Sequence, residues 1–138
     1  LCWRAKNLNY NIKYVGTSTA YHVGGATLKE ESPKKSFLNF RNSLFTLVKN
    51  LPKKQVFGIV FMRLVLDGVA GFKFLLELKP IHTLAILKAH ISFYAQVSKM
   101  YRKRDTSNKR TDYFTTNSIV WQYFVLGKKK YSKIDSKL

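Results

Sequence analysis

Few residues in this sequence have a type and spacing that could do chemistry, and the first is His22, within Tyr21-His22-Val23-Gly24-Gly25. A His there closes a run rich in Tyr, Val and Thr, and the two glycines free the backbone to turn sharply and let a bulky group approach. Imidazole in such a place can ligate a metal, although a lone His is more often a hydrogen-bonded structural residue. Arg41 is the second. On a helical wheel over Pro33 to Asn50 it stands at the edge of the apolar face made by Phe37, Leu44 and Val48, where a charge calls for a partner. Its planar guanidinium is shaped for a phosphate, with Asn42 and Arg4 as companions, and it would also suit a snorkelling side chain with a solvated head. His82 and His90 lie about 80° apart on a wheel and do not suggest a shared metal site.

Elements must position these groups, and composition bounds them. A chain of 138 residues is long enough for one compact unit and too short for separate donor and acceptor halves of a nucleotide-sugar enzyme. The sequence opens on Leu1, Cys2 and Trp3 without a Met, and that start is read as artificial. Nothing resembles a signal peptide, and the single Cys2 permits no internal disulfide. Lys and Arg number 25 against 7 Asp and Glu, a formal charge of +18, so the chain seeks polyanions: nucleic acid, anionic lipid headgroups or diphosphates. Eleven of those cations fall from Lys99 onward, which makes the tail the most basic stretch.

Leu1 to Leu8 reads as the end of a helix, closed at Asn9 by a residue that tolerates the left-handed conformation. Asn11 to Val15 and Thr17 to Val23 have the composition of short strands around Gly16. Ser32 as a hydroxyl cap, Pro33 at the first helical position, and Phe37, Phe40, Leu44, Val48 and Leu51 at helical spacing predict a helix from Pro33 to Asn50. A second runs from Gln55 to Leu78. Its longest apolar run, Val56 to Met62, is well short of the roughly 20 residues a bilayer span needs. On its wheel Arg63, Asp67, Lys73 and Glu77 share about a third of the circumference and the rest is oily. A third helix, Ile81 to about Arg104, sets Lys88, Ser92, Gln96, Lys99 and Lys103 against Ile86, Phe93, Tyr94, Val97 and Tyr101. Asp105 to Asn117 reads as a loop, and Ile119 to Leu126 is too short to assign to strand or helix. The expected fold class is mainly α with a small β element.

Two chemistries suit the wide oily arcs. The helices can bury them against each other and against a neighbouring domain, or lay them in a membrane interface. The aromatics Phe57, Phe61, Phe72 and Phe74 and the basic run Lys128-Lys129-Lys130 fit the second, as membrane contacts on an anionic surface. A nucleic-acid module is the rival from another class. It is weakened because no nucleic-acid motif is present and the aromatics before residue 100 fall on apolar helical faces, so no nucleic acid is expected as partner. Walker loop, Cys/His cluster, nucleophile elbow, G-x-G-x-x-G and Asp-x-Asp are all missing from the sequence.

Three stretches, Leu1-Cys2-Trp3-Arg4-Ala5-Lys6, Tyr21-His22-Val23-Gly24-Gly25-Ala26-Thr27 and Leu38-Asn39-Phe40-Arg41-Asn42-Ser43-Leu44, occur in an order that resembles glycosyltransferase family 2. The resemblance is most specific from Leu1 to Asn50, moderate to about Tyr101 and looser over Ile119-Val120-Trp121-Gln122-Tyr123-Phe124. It implies the C-terminal fragment of a GT-A α/β enzyme: residues 1–31 as the end of the catalytic domain, 32–104 as an amphipathic helical membrane-associated region, and 105–138 as a basic tail. In that family the Leu-Cys-x-Arg tetrad follows a Glu-Asp-x-Asp stretch carrying the general base, which would precede Leu1. The resemblance also makes His22 a ligand of a divalent cation, Mn or Mg, completed by an Asp-x-Asp elsewhere. It implies inverting transfer from a nucleotide-sugar donor to a glycan or lipid-linked acceptor, at the cytoplasmic face of a bacterial inner membrane. The chain alone is expected to transfer nothing, and a purely structural anchor is the subordinate alternative.

Overall fold

The computed structural model describes residues 2–21, 32–104, 116 and 118–134, and the fold is mainly α. Five helices follow in order: α1 (Cys2–Asn7), α2 (Pro33–Asn50), α3 (Lys53–Leu76), α4 (Pro80–Arg102) and α5 (Ile119–Phe124), with a 3₁₀ turn at Tyr131–Lys133. The bounds of α2 are those its sequence signals predict. Pro33 occupies the first turn, but the Ser32 hydroxyl makes no cap hydrogen bond. The Ser32 carbonyl instead accepts from Ser36 N at 3.1 Å, as the first intrahelical bond. Asn9, with φ of 62°, takes the left-handed conformation that closes α1.

No strand forms among the described residues. Asn11 to Val15 is exposed throughout, and the backbone bond Ser18 N to Val15 O at 3.1 Å beside it is a turn. A strand needs a neighbour to take up its ladder hydrogen bonds, and β-favouring side chains cannot substitute for one. The second expected strand, Thr17 to Val23, lies outside the described residues at its His22-Val23 end. Ile119–Phe124, undecided from its sequence, is helical because Ser118 caps it, its hydroxyl accepting from Trp121 N at 3.1 Å.

α2, α3 and α4 form the core. Leu44, Phe45 and Val48 of α2 pack on Phe93 of α4, with Val56, Val60 and Leu64 of α3 and Val97 and Met100 of α4 around them. The rings of Phe45 and Phe93 meet at 5.9 Å, tilted. Polar ties also hold the helices in register. The Ser36 hydroxyl lies 2.9 Å from His82 Nδ1, Thr83 donates to the Gly71 carbonyl at 2.8 Å, and the Arg104 guanidinium donates to the carbonyls of Val48 and Leu51. That last contact places a cation on the carbonyl end of α2. Asn7 Nδ2 donates to Asn50 O at 3.2 Å and holds α1 against the same end. The α3–α4 turn passes through Leu78 in the left-handed conformation, φ 56°, before Pro80 opens α4.

An outward apolar surface and a polar groove as candidate functional sites

The helix α3 is turned opposite to what its charges alone suggest. Phe57, Phe61, Val65, Val69, Phe72 and Leu76, spaced by three or four residues, form one exposed stripe. The inward arc carries Val56, Val60 and Leu64, but also Arg63, Asp67 and Gly71. Asp67 is 1% exposed, whereas Phe57 is 83% exposed. The apolar arc therefore faces out and the only Arg and Asp of the helix face in. α4 adds exposed Ile81, Leu84, Leu87, Ile91 and Tyr94, with Lys88 lying among them on the wheel and Lys99 and Arg102 exposed further along. At the turn between the two helices, Leu75, Leu76, Leu78 and Ile81 are all exposed. Exposed apolar side chains in such number on two successive helices make this surface a candidate contact site.

Of the aromatics expected on that surface, Phe57, Phe61 and Phe72 stand on it. Phe74 does not. It is half-buried on the inward arc, its ring stacked on His82 of α4 with centroids 5.0 Å apart, because a residue two on from Phe72 points to the other side of a helix. Lys129 and Lys130 are exposed beyond α5, and Lys128 is partly covered.

Between α3 and α4 lies a buried ionic cluster. Arg63 Nε is 2.7 Å from Asp67 Oδ1, and His90 Nε2 is 3.2 Å from Asp67 Oδ2. The Arg63 contact is a close charge pair more than an aligned hydrogen bond, and its guanidinium also lies over the Phe40 ring at 5.6 Å. Burial raises the Asp67 carboxyl above its ordinary value of 3.8, against the opposing pull of Arg63 and His90. His82 and His90, about 80° apart on the wheel, meet different partners: His82 the Ser36 hydroxyl, and His90 an Asp on another helix.

A groove of about 410 Å³ opens between α1, α2 and α3, lined by Trp3, Asn39, Asn42, Ser43, Thr46, Leu47 and Arg63. The signal for it was present in the sequence: Asn39, Asn42, Ser43 and Thr46 form a polar stripe at helical spacing along α2. Arg41 and Asn42 are brought together. Arg41 donates from Nε and Nη2 to Asn42 Oδ1 at 3.2 and 3.1 Å, and its guanidinium covers Phe37 at 4.8 Å and Phe45 at 5.6 Å. Arg4 sits exposed in the last turn of α1. The predicted metal ligand His22 lies outside the described residues. Among the described residues no group of three or more His, Cys, Asp or Glu side chains could hold a metal, and no helix is long and apolar enough to cross a membrane. No protein-family model, curated protein or solved structure matches the chain.

Proposed function

We propose that this chain is the membrane-docking, C-terminal part of a glycosyltransferase that passes a sugar from a nucleotide-sugar donor to a glycan or lipid-linked acceptor. The observation that carries the membrane part is the orientation of α3, whose aromatic stripe faces out while Asp67 is buried. A helix surrounded only by water gains most by the reverse arrangement. Phe57, Phe61, Phe72 and Leu76, with the α3–α4 turn at Leu78, enter the headgroup boundary of an anionic leaflet. The lysines around them add roughly 1 kcal/mol each near such a surface. The docking is interfacial, with the helices lying along the surface.

The enzyme part rests on the resemblance of Leu1 to Asn50 to glycosyltransferase family 2. In that reading His22 would help hold Mn or Mg, the group that would supply charge neutralisation for a nucleoside diphosphate leaving group, and the base would be a carboxylate outside this sequence. In the complete enzyme, His22→Ala lowers metal-dependent turnover, and an unchanged dependence on added Mn would remove His22 from the metal site.

Flotation with vesicles tests the docking. The chain should float with vesicles containing phosphatidylserine or phosphatidylglycerol, much less with phosphatidylcholine alone, and Phe61→Ser with Phe72→Ser should return it to the soluble fraction. Equal partition to both vesicle types, or to neither, refutes the docking. Salt-sensitive retention on single-stranded DNA without flotation would favour a nucleic-acid module.

A further inference from the structure

We infer that the groove between α1, α2 and α3 is a binding site for a neutral glycan. Its long wall is the outward stripe of α2, where Asn39, Asn42, Ser43 and Thr46 succeed one another at positions three or four apart. Trp3 from α1 and Arg63 from α3 complete it. Its volume of about 410 Å³ falls within the size of small-molecule sites, roughly 300–1,000 Å³.

The polar groups are committed in a pattern that leaves both donors and acceptors for a ligand. Asn42 has its oxygen occupied by Arg41, so its amide N–H groups remain to donate. Ser43 gives its proton to the Asn39 carbonyl at 2.6 Å, so its oxygen remains to accept. The Asn39 side-chain amide has no partner among the described residues and offers both roles. Vicinal hydroxyls, each a donor and an acceptor, match such a wall. A fully ionised phosphate, which only accepts, leaves the Ser43 oxygen unanswered.

Charge points the same way. In a chain of net +18, the groove is a place where the cation does not stand alone: among the described residues Arg63 is the one ionisable side chain lining it, and Asp67 lies 2.7 Å from its Nε. The adjacent Arg41 is turned onto the Phe37 and Phe45 rings and onto Asn42. Arg63 therefore presents an anion with a charge that Asp67 already offsets. Arg63 stands roughly half-way around α3 from the middle of the exposed apolar stripe, so lipid and glycan need not compete.

That this glycan is the acceptor of sugar transfer rests on the proposed function, whereas its binding does not. The chain has two tryptophans, so Trp121→Phe leaves Trp3 as the sole indole reporter. Titration with malto-, cello-, xylo- and chito-oligosaccharides should give a saturable change in Trp3 emission with at least one of them. Asn39→Ala with Asn42→Ala, at exposed helical positions that Ala suits, should weaken it about tenfold or more and leave vesicle flotation unchanged. Saturation by inorganic pyrophosphate alone, or no saturable response to any of these oligosaccharides, overturns the inference. Flotation that persists beside a failed titration overturns the groove and spares the docking; a saturable titration in a chain that does not float does the reverse.

Discussion

Replacing Arg63 with Met should destabilise the chain far more than replacing Asp67 with Asn, although each change removes the same ion pair. Asp67 is 1% exposed and holds Arg63 Nε at 2.7 Å and His90 Nε2 at 3.2 Å. Taking away one partner of a buried pair costs roughly 3–5 kcal/mol, because the other charge stays behind. Arg63 keeps about a third of its side chain in solvent and His90 remains, so about 2–3 kcal/mol is expected for Arg63→Met. Asn at position 67 leaves no charge to solvate and can still hydrogen-bond, so Asp67→Asn should stay within about 1 kcal/mol of the parent. The double variant should recover most of the Arg63→Met loss.

The pH dependence follows from the raised carboxyl of Asp67. An acid whose folded-state value lies above its unfolded one binds its proton more tightly when folded. The stability it contributes is then full below the ordinary value of 3.8 and is lost as pH rises through the raised value. Arg63→Met raises that carboxyl further, so the gap between parent and variant should be widest at neutral pH and shrink on acidification towards 3.8. Urea unfolding followed by circular dichroism at several pH values, with slopes compared to verify two-state behaviour, measures this directly. An Asp67→Asn loss equal to that of Arg63→Met, or a gap that widens in acid, would refute the reasoning.

Two further variants test how the helices are held. Arg104→Ala removes the guanidinium from the Val48 and Leu51 carbonyls and should cost about 1–2 kcal/mol in urea, and Arg104→Lys should restore only part of it because an ammonium lacks the fork. Leu78→Gly relieves a left-handed backbone that costs a side chain about 1–2 kcal/mol. After the greater freedom of Gly in the unfolded chain is subtracted, a gain of roughly 0.5 kcal/mol should appear as a higher urea midpoint.

The helices were legible in the sequence because their start and stop signals are local. Pro33, Asn50 and the Asn9 stop need no tertiary partner, and the bounds of α3 and α4 differ from expectation by only two residues or so at either end. The strand expectation over Asn11 to Val15 failed because a strand is a property of two segments, and the described residues supply only one. Which way α3 faces was hidden for a related reason. Periodicity separates the oily arc of Phe57, Phe61 and Phe72 from the arc of Arg63 and Asp67, but it says nothing about which arc meets the neighbours. Inside, Asp67 meets His90 of α4, a partner on another helix that the periodicity of α3 does not show. The stripe of Asn39, Asn42, Ser43 and Thr46 was readable, but its meaning depends on Trp3 and Arg63 arriving from other helices.

The most direct test of the membrane account is a depth measurement on the bound protein. With Cys2, the only cysteine, replaced by Ser, single cysteines at Phe61, Leu76 and Thr46 can each carry an environment-sensitive fluorophore. On anionic vesicles, labels at positions 61 and 76 should shift to the blue and be quenched by lipids brominated along their tails, while the label at position 46 in the groove should stay accessible to aqueous iodide. Quenching by iodide at all three positions, or tail quenching at position 46 and not at 61 and 76, would contradict the orientation proposed here.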